Sequence, residues 1–176
     1  MKSFEVPITI EADHRALGDE FELVGQIRAA VTAAARACGY LQGSIGVLIT
    51  DDETIHSINR DHLGHDYPTD VISFAYDAHA PLVEGELVAS LDTAVREAAQ
   101  LGWPPVHELL LYVVHGTLHV CGLDDQSADE RSRMRLAERQ VLSSLGIANV
   151  SDFDPDAIRD VVSSLDADPH FDMHDS

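Results

Sequence analysis

His115-Gly116-Thr117-Leu118-His119-Val120-Cys121-Gly122-Leu123-Asp124-Asp125 is the stretch that decides how the rest of the chain is read. It continues Glu108-Leu109-Leu110-Leu111-Tyr112-Val113-Val114, an apolar run of good helix formers. Both histidines are therefore expected on one helix, four residues apart and sharing a face. Gly122 offers that helix an end, because glycine enters the left-handed conformation without a Cβ clash. The turn beyond it carries Asp124 and Asp125, either of which could bring a carboxylate to the two imidazoles. Two histidines and a carboxylate with one position left open form the donor set of a catalytic zinc site, and of several other open-site transition metals. An arbitrary histidine pair at this spacing is more often two satisfied side chains. Here the pair lies in an apolar segment, where an unpartnered polar ring is costly, and the carboxylate turn follows at once. The residue after the first histidine is Gly116, so the general-base glutamate of an H-E-x-x-H protease has no counterpart.

Outward from that stretch, 176 residues at 45% hydrophobic content predict one domain with a sizeable core over residues 1–150. An acidic extension over 151–176 follows, partly disordered, with Ile158, Val161, Val162 and Leu165 at helical spacing and His170 and His174 in a solvated tail. No apolar run is long enough to span a bilayer, and Met1-Lys2-Ser3-Phe4-Glu5 lacks the regions of a signal peptide, which reads as cytoplasmic. Cys38 and Cys121 are expected as buried thiols rather than a disulfide. The net charge of -20, with a single lysine, argues on its own against a nucleic-acid binder. From Ser151 onward eight aspartates face one arginine, a net -7, which leaves -13 on the rest.

Taken in order, the chain begins with Phe4, Val6, Ile8 and Ile10 alternating as one half-buried strand. Asp19 to Cys38 reads as a helix with Leu23, Ile27, Val31, Ala34 and Ala35 on one stripe. Ser44 to Thr50 is a strand, and Asp51 or Asp52 caps a second helix through Asn59. Leu63 to Asp70 is a loop, Val71 to Tyr76 a strand, Asp77 to Leu82 a loop and Gly85 to Leu91 a further strand, so this pair is hairpin-like. A helix from Asp92 to Leu101 takes Asp92 as cap, and the metal helix begins near Val106 after two prolines. Ser127-Ala128-Asp129-Glu130 has the form of a capping box and opens a last helix to about Leu145. Arg131, Arg135 and Arg139 lie four apart on it, the only basic concentration in the chain. They are either a phosphate-binding stripe or a solvated face paired with Glu130 and Glu138.

His115, Gly116, Leu118, His119, Gly122 and Asp124 match the H-G-x-L-H-L-x-G-x-D-H signature of the YbeY endoribonucleases, metal-dependent bacterial rRNA maturation factors, which the chain resembles. Pro68, Thr69, Asp70, Val71, Ile72, Ser73 and Phe74 match a second signature, P-T-[DN]-V-[LI]-S-F, with Asn59 upstream. Gly85-Glu86-Leu87 is similar to the family's G-D-[IL], and Met134 and Glu138 fit its usual ending. Asp125 stands in place of the third histidine ligand, Leu63 in place of a functional arginine, and Val120 in place of a leucine. The resemblance covers about Phe4 to Leu145.

It implies an α+β fold in α/β-like order: a small mixed β-sheet flanked by helices, with the metal-binding helix packed on the sheet. It also implies a single-strand-specific metallo-endoribonuclease, acting on the 16S rRNA 3′ end and in ribosome quality control with a zinc-activated water. His115 and His119 would be catalytic and metal-binding, Asp125 the third ligand and Glu86 catalytic. Arg60, Arg131, Arg135 and Arg139 would bind substrate. The cofactor would be one divalent metal ion, zinc in the first instance. Partners would be rRNA of the ribosomal small subunit, ribosomal proteins and a ribosome-assembly GTPase, with no membrane. Two other classes fit the same residues: a different zinc metallohydrolase of the peptidase or amidase type, and a non-catalytic ribosome-assembly factor with a structural metal.

Overall fold

The computed structural model describes residues 3–67 and 69–147. The acidic extension over 151–176, its expected helix, the end of the expected domain at 150 and Pro68 of the loop motif lie outside the described residues. The element order begins β1 (Phe4–Glu5), β2 (Ile8–Ile10), α1 (Glu20–Ala37), β3 (Gln42–Thr50) and α2 (Asp52–Leu63). It continues with β4 (Val71–His79), β5 (Leu82–Ser90), α3 (Leu91–Leu101), α4 (Pro105–Val120) and α5 (Ala128–Ser144). β3 lies parallel to β1, β2 and β5, and β4 closes the edge antiparallel to β5, so the sheet is mixed as expected.

Period-two alternation assigns the two faces of this sheet. Ile45, Val47, Ile49, Val83, Leu87 and Ala89 pack with α1, α4 and α5 in the main core. Val88, Ile72 and Leu48 face the other way and meet Ile55 and Ile58 of α2. The α1 stripe of Leu23, Ile27, Ala30, Val31, Ala34 and Ala35 is fully inward, and Asp19 caps the helix by accepting the Glu22 amide. Helix α4 sits at the centre, against α1, α3, α5 and the β4–β5 hairpin.

Two glycines allow that close seat. A Cβ at Gly85 would stand 2.6 Å from the Phe74 carbonyl oxygen and 2.6 Å from Val120 Cγ1. A Cβ at Gly116 would meet Leu87 Cδ2 at 2.9 Å and Val71 Cγ2 at 3.0 Å. Helix and sheet touch at these points, and the Ser73 hydroxyl donates to the Gly116 carbonyl at 3.1 Å.

Several boundaries differ from the sequence expectation, each for a local reason. The single strand over Phe4 to Ile10 is two strands, because Pro7 has no amide hydrogen to continue the ladder; its carbonyl accepts from the Val47 amide at 2.8 Å. Leu63 is the last residue of α2 rather than the start of a loop. The loop over Asp77 to Leu82 is mostly strand, since β4 and β5 stay paired out to His79 and Leu82. The cap of α3 is Ser90, whose hydroxyl accepts the Thr93 amide at 3.2 Å. Asp92 instead accepts the Asp52 amide at 3.0 Å. Cys121 is buried and Cys38 half-buried, and both are free thiols. Among the described residues no helix is long and apolar enough to cross a membrane.

Candidate metal centre

Helix α4 ends one residue after His119, and its termination builds the site. Cys121 is the last half-helical residue and Gly122 takes a φ of 101°. The Gly122 amide then donates to the His119 carbonyl at 2.9 Å, and the Leu123 amide to the Leu118 carbonyl at 3.0 Å. These are the paired bonds of a Schellman motif, and they reverse the chain so that the next residues pass back beside the last turn. Asp124 accepts the amide of Asp125 at 2.8 Å and shapes the turn, leaving the Asp125 carboxylate free to face the helix.

The result is a triangle of donor atoms. His115 Nε2 and His119 Nε2 are 3.1 Å apart, with the rings edge to face at 79°. Asp125 Oδ2 lies 3.3 Å from His119 Nε2 and 3.6 Å from His115 Nε2. Ligands bound about 2.05 Å from one ion at tetrahedral angles stand about 3.3 Å from each other, so these edges fit a tetrahedral zinc-sized ion. The histidine side chains are 26% exposed and that of Asp125 is 37% exposed. One side of the triangle is thus open to solvent, where a closed structural site would carry its fourth protein ligand. Among the described residues this is the group of histidine, cysteine and carboxylate side chains able to hold a metal ion.

Carboxylates surround His115. Burial pushes its imidazole pKa down, but the hydrogen bond with Glu138 and the negative charges of Glu138, Asp70 and Asp125 outweigh this and raise it overall. Glu138 Oε1 is 2.5 Å from His115 Nδ1, on the ring edge away from the triangle. Glu138 and Asp70 are the neighbours that sequence reasoning did not place here. One signal for Glu138 was available: with Met134, Val141 and Leu142 it falls on the inward stripe of α5, where a carboxylate requires a partner. The signal for Asp70 was weaker, since it lies in the loop motif far from His115 in sequence.

The other expected site residues are not brought to the triangle. Glu86 alternates with Gly85 and Leu87, which face α4, so its side chain emerges on the opposite face of the sheet. It accepts the Tyr76 hydroxyl at 2.9 Å and lines a groove there with Pro7, Leu48, His62 and Phe74. Arg60 is exposed on α2 and donates to its neighbour Asp61 at 3.2 Å. Arg131 is committed to the turn itself, donating to the carbonyls of Gln126 at 2.7 Å and Asp125 at 3.5 Å. Arg139 is exposed and Arg135 half-buried. Glu130 completes the capping box with Ser127, and Glu138 bonds to His115.

Against this geometry, residues 8–146 match the family model described as Endoribonuclease YbeY. The chain belongs to the YbeY family. A relative named Endoribonuclease YbeY from Rhodopirellula baltica is 50% identical over 145 residues, spanning 81% of this chain and 75% of the relative. One from Chloroflexus aurantiacus is 36% identical over 150 residues, spanning 80% of this chain and 96% of the relative. One from Rhodospirillum rubrum is 39% identical over 140 residues, covering 72% and 70% respectively. The solution structure of TM1509 from Thermotoga maritima shares the fold with a TM-score of 0.55 at 20% identity, over 85% of this chain and 97% of that one. YbeY membership and the α+β fold agree with the expectation drawn from the His115–Asp125 motif.

Proposed function

We propose that this chain is a single-strand-specific metallo-endoribonuclease that hydrolyses phosphodiester bonds during rRNA maturation at the 16S 3′ end. The observation carrying the proposal is the open donor triangle of His115, His119 and Asp125 in a chain of the YbeY family. A divalent ion there supplies Lewis acidity toward a phosphoryl oxygen and lowers the pKa of water to about 7, the two needs of phosphodiester hydrolysis at neutral pH. Zinc suits two imidazoles and a carboxylate at these spacings; aspartate in place of a third histidine makes harder ions such as manganese relatively better tolerated. The chain's own residues orient the donors: the Schellman turn and Arg131 hold Asp125, and α4 holds the two rings. Glu86, on the far face of the sheet, is not available to take a proton at this site. The exposed Arg133 and Arg139 of α5 are cations that could meet phosphates on an otherwise acidic body. The natural partners on this reading are rRNA and the ribosomal small subunit, in the cytoplasm.

The peptidase or amidase alternative wants a carboxylate base beside the metal water, and Gly116, bordered by the side chains of Leu87 and Val71, provides none. The structural-metal alternative is disfavoured by the open face. The test is cleavage of single-stranded against double-stranded RNA by purified protein of known metal content, with and without chelator. Cleavage confined to single strands and abolished by chelator supports the proposal; no cleavage by fully metallated protein opposes it.

A further inference from the structure

His115 presents Nε2 to the donor triangle and Nδ1 to Glu138. A neutral imidazole carries one proton, and which nitrogen holds it is set by the partner of the other. A carboxylate at Nδ1 accepts that proton's hydrogen bond, so the lone pair is left on Nε2, where an ion would need it. The contact also fixes the ring angle, because Glu138 is itself held. Its side chain is only 14% exposed, on an α5 stripe whose neighbours Met134, Val141 and Leu142 are buried in the core. Seven residues earlier on the same helix, Arg131 grips the Asp125 turn through two backbone carbonyls. Helix α5 therefore reaches both the helix that carries the histidines and the turn that carries the carboxylate, without supplying a donor to the triangle.

We propose that Glu138 is a positioning residue of the metal centre: it locks the tautomer and ring orientation of His115 and thereby sets how tightly the site holds its ion. Partners of this kind commonly tune metal affinity by about 10- to 100-fold. The inference rests on the metal-site reading above. A wild-type chain that takes up no zinc overturns that reading; a wild-type chain that binds zinc beside unaltered variants overturns this inference alone.

The experiment uses the full chain as wild type, Glu138→Gln, Glu138→Asp and Glu138→Ala. Each is stripped with chelator and titrated with Zn2+ against a competing chromophoric chelator; Co2+ spectra of the loaded proteins and melting of the metal-free proteins are recorded alongside. The alanine and aspartate variants, one without a carboxylate and the other too short to reach, are expected to bind zinc about 10- to 100-fold more weakly with shifted Co2+ bands. Glutamine keeps an acceptor oxygen at the same reach and is expected to fall between wild type and alanine. Should the alanine variant not fold, the ordering of wild type, glutamine and aspartate decides in the same way. Zinc affinities within about twofold of wild type across the folded variants overturn the proposal, given the usual size of such effects. So does a lowered metal-free melting point with an unchanged Co2+ spectrum, which is the mark of a purely structural role.

Discussion

The Nε2 atoms of His115 and His119 stand 3.1 Å apart, a separation that two ligands of one tetrahedral ion adopt. Because both rings hang from successive turns of one packed helix, removing either should leave α4 in place and only open the triangle. His115→Ala and His119→Ala are each expected to lose nearly all bound metal with circular dichroism unchanged, as measured by elemental analysis of purified protein.

The two aspartates of the turn have different tasks. Asp125 faces the imidazoles, whereas Asp124 accepts the Asp125 amide and shapes the turn. Asp125→Ala should weaken metal binding strongly, Asp124→Ala should keep the donor set with a smaller loss, and Asp125→His should retain the ion. If Asp124→Ala loses the metal and Asp125→Ala does not, the assignment is off by one residue.

Gly116 and Gly85 make opposite demands on propensity and packing. Alanine is the better helix former by about 1 kcal/mol, but at 116 its methyl group must displace the tips of Leu87 and Val71. At 85 it meets a backbone carbonyl, which cannot move aside. Gly116→Ala is expected to be close to neutral or to destabilise by about 1 kcal/mol, and Gly85→Ala by about 3 kcal/mol, with overpacking setting the scale. Denaturant unfolding ranks the two; an equal or reversed order would show that α4 does not sit on the sheet at Gly85 as described.

The metal helix, its end at Gly122 and the capping box at Ser127 were legible because each depends on residues within a few positions of one another. Apolar spacing and a glycine specify the first two; a serine and a glutamate three apart specify the third. What the sequence left open was non-local. Which face of β5 looks at α4 depends on packing, so Glu86 could be matched to a motif yet point away from the metal centre. Ser90 and Asp92 are both good cap residues two positions apart, and only the approach of α2, whose Asp52 amide takes Asp92, decides between them. Glu138 meets His115 across 23 positions, a contact the α5 pattern hints at without naming the partner.

Asp52 ties α2 to the start of α3 and gives the fold an acid limit. Its Oδ1 accepts the hydroxyls of Ser90 at 2.6 Å and Thr93 at 2.7 Å, and its Oδ2 accepts Arg96 at 3.0 Å. Burial raises its pKa, but these bonds outweigh the burial and bring it below the ordinary value of 3.8. A carboxylate depressed in the folded state stabilises fully above its unfolded pKa and loses that contribution as pH falls through the folded one. Wild-type stability should therefore drop below about pH 4 partly through this group. Asp52→Asn should be less stable near pH 7 by roughly 1.5 kcal/mol, the scale of hydrogen bonds to a charged group, with the gap closing in acid. A gap that stays constant down to pH 2 would remove Asp52 from the acid response.

Two arginines of α5 should separate by readout. Arg131 holds the carbonyls of the Asp125 turn, so Arg131→Ala is expected to lower metal affinity. Arg139 is exposed, and if it meets a phosphate, Arg139→Ala should reduce the salt dependence of RNA binding by about one unit of slope. An unchanged slope would make Arg139 part of a solvated helix face.

The most direct measurement is the rate of single-stranded RNA cleavage by chelator-stripped protein as Zn2+ is returned, with stripped His119→Ala run in parallel. The wild type should be inactive when stripped and regain cleavage as about one equivalent of zinc is bound, as a single three-ligand site requires, while His119→Ala stays inactive throughout. Full cleavage by the stripped wild type, or recovery of His119→Ala to the wild-type rate, would contradict a catalytic metal held by His115, His119 and Asp125.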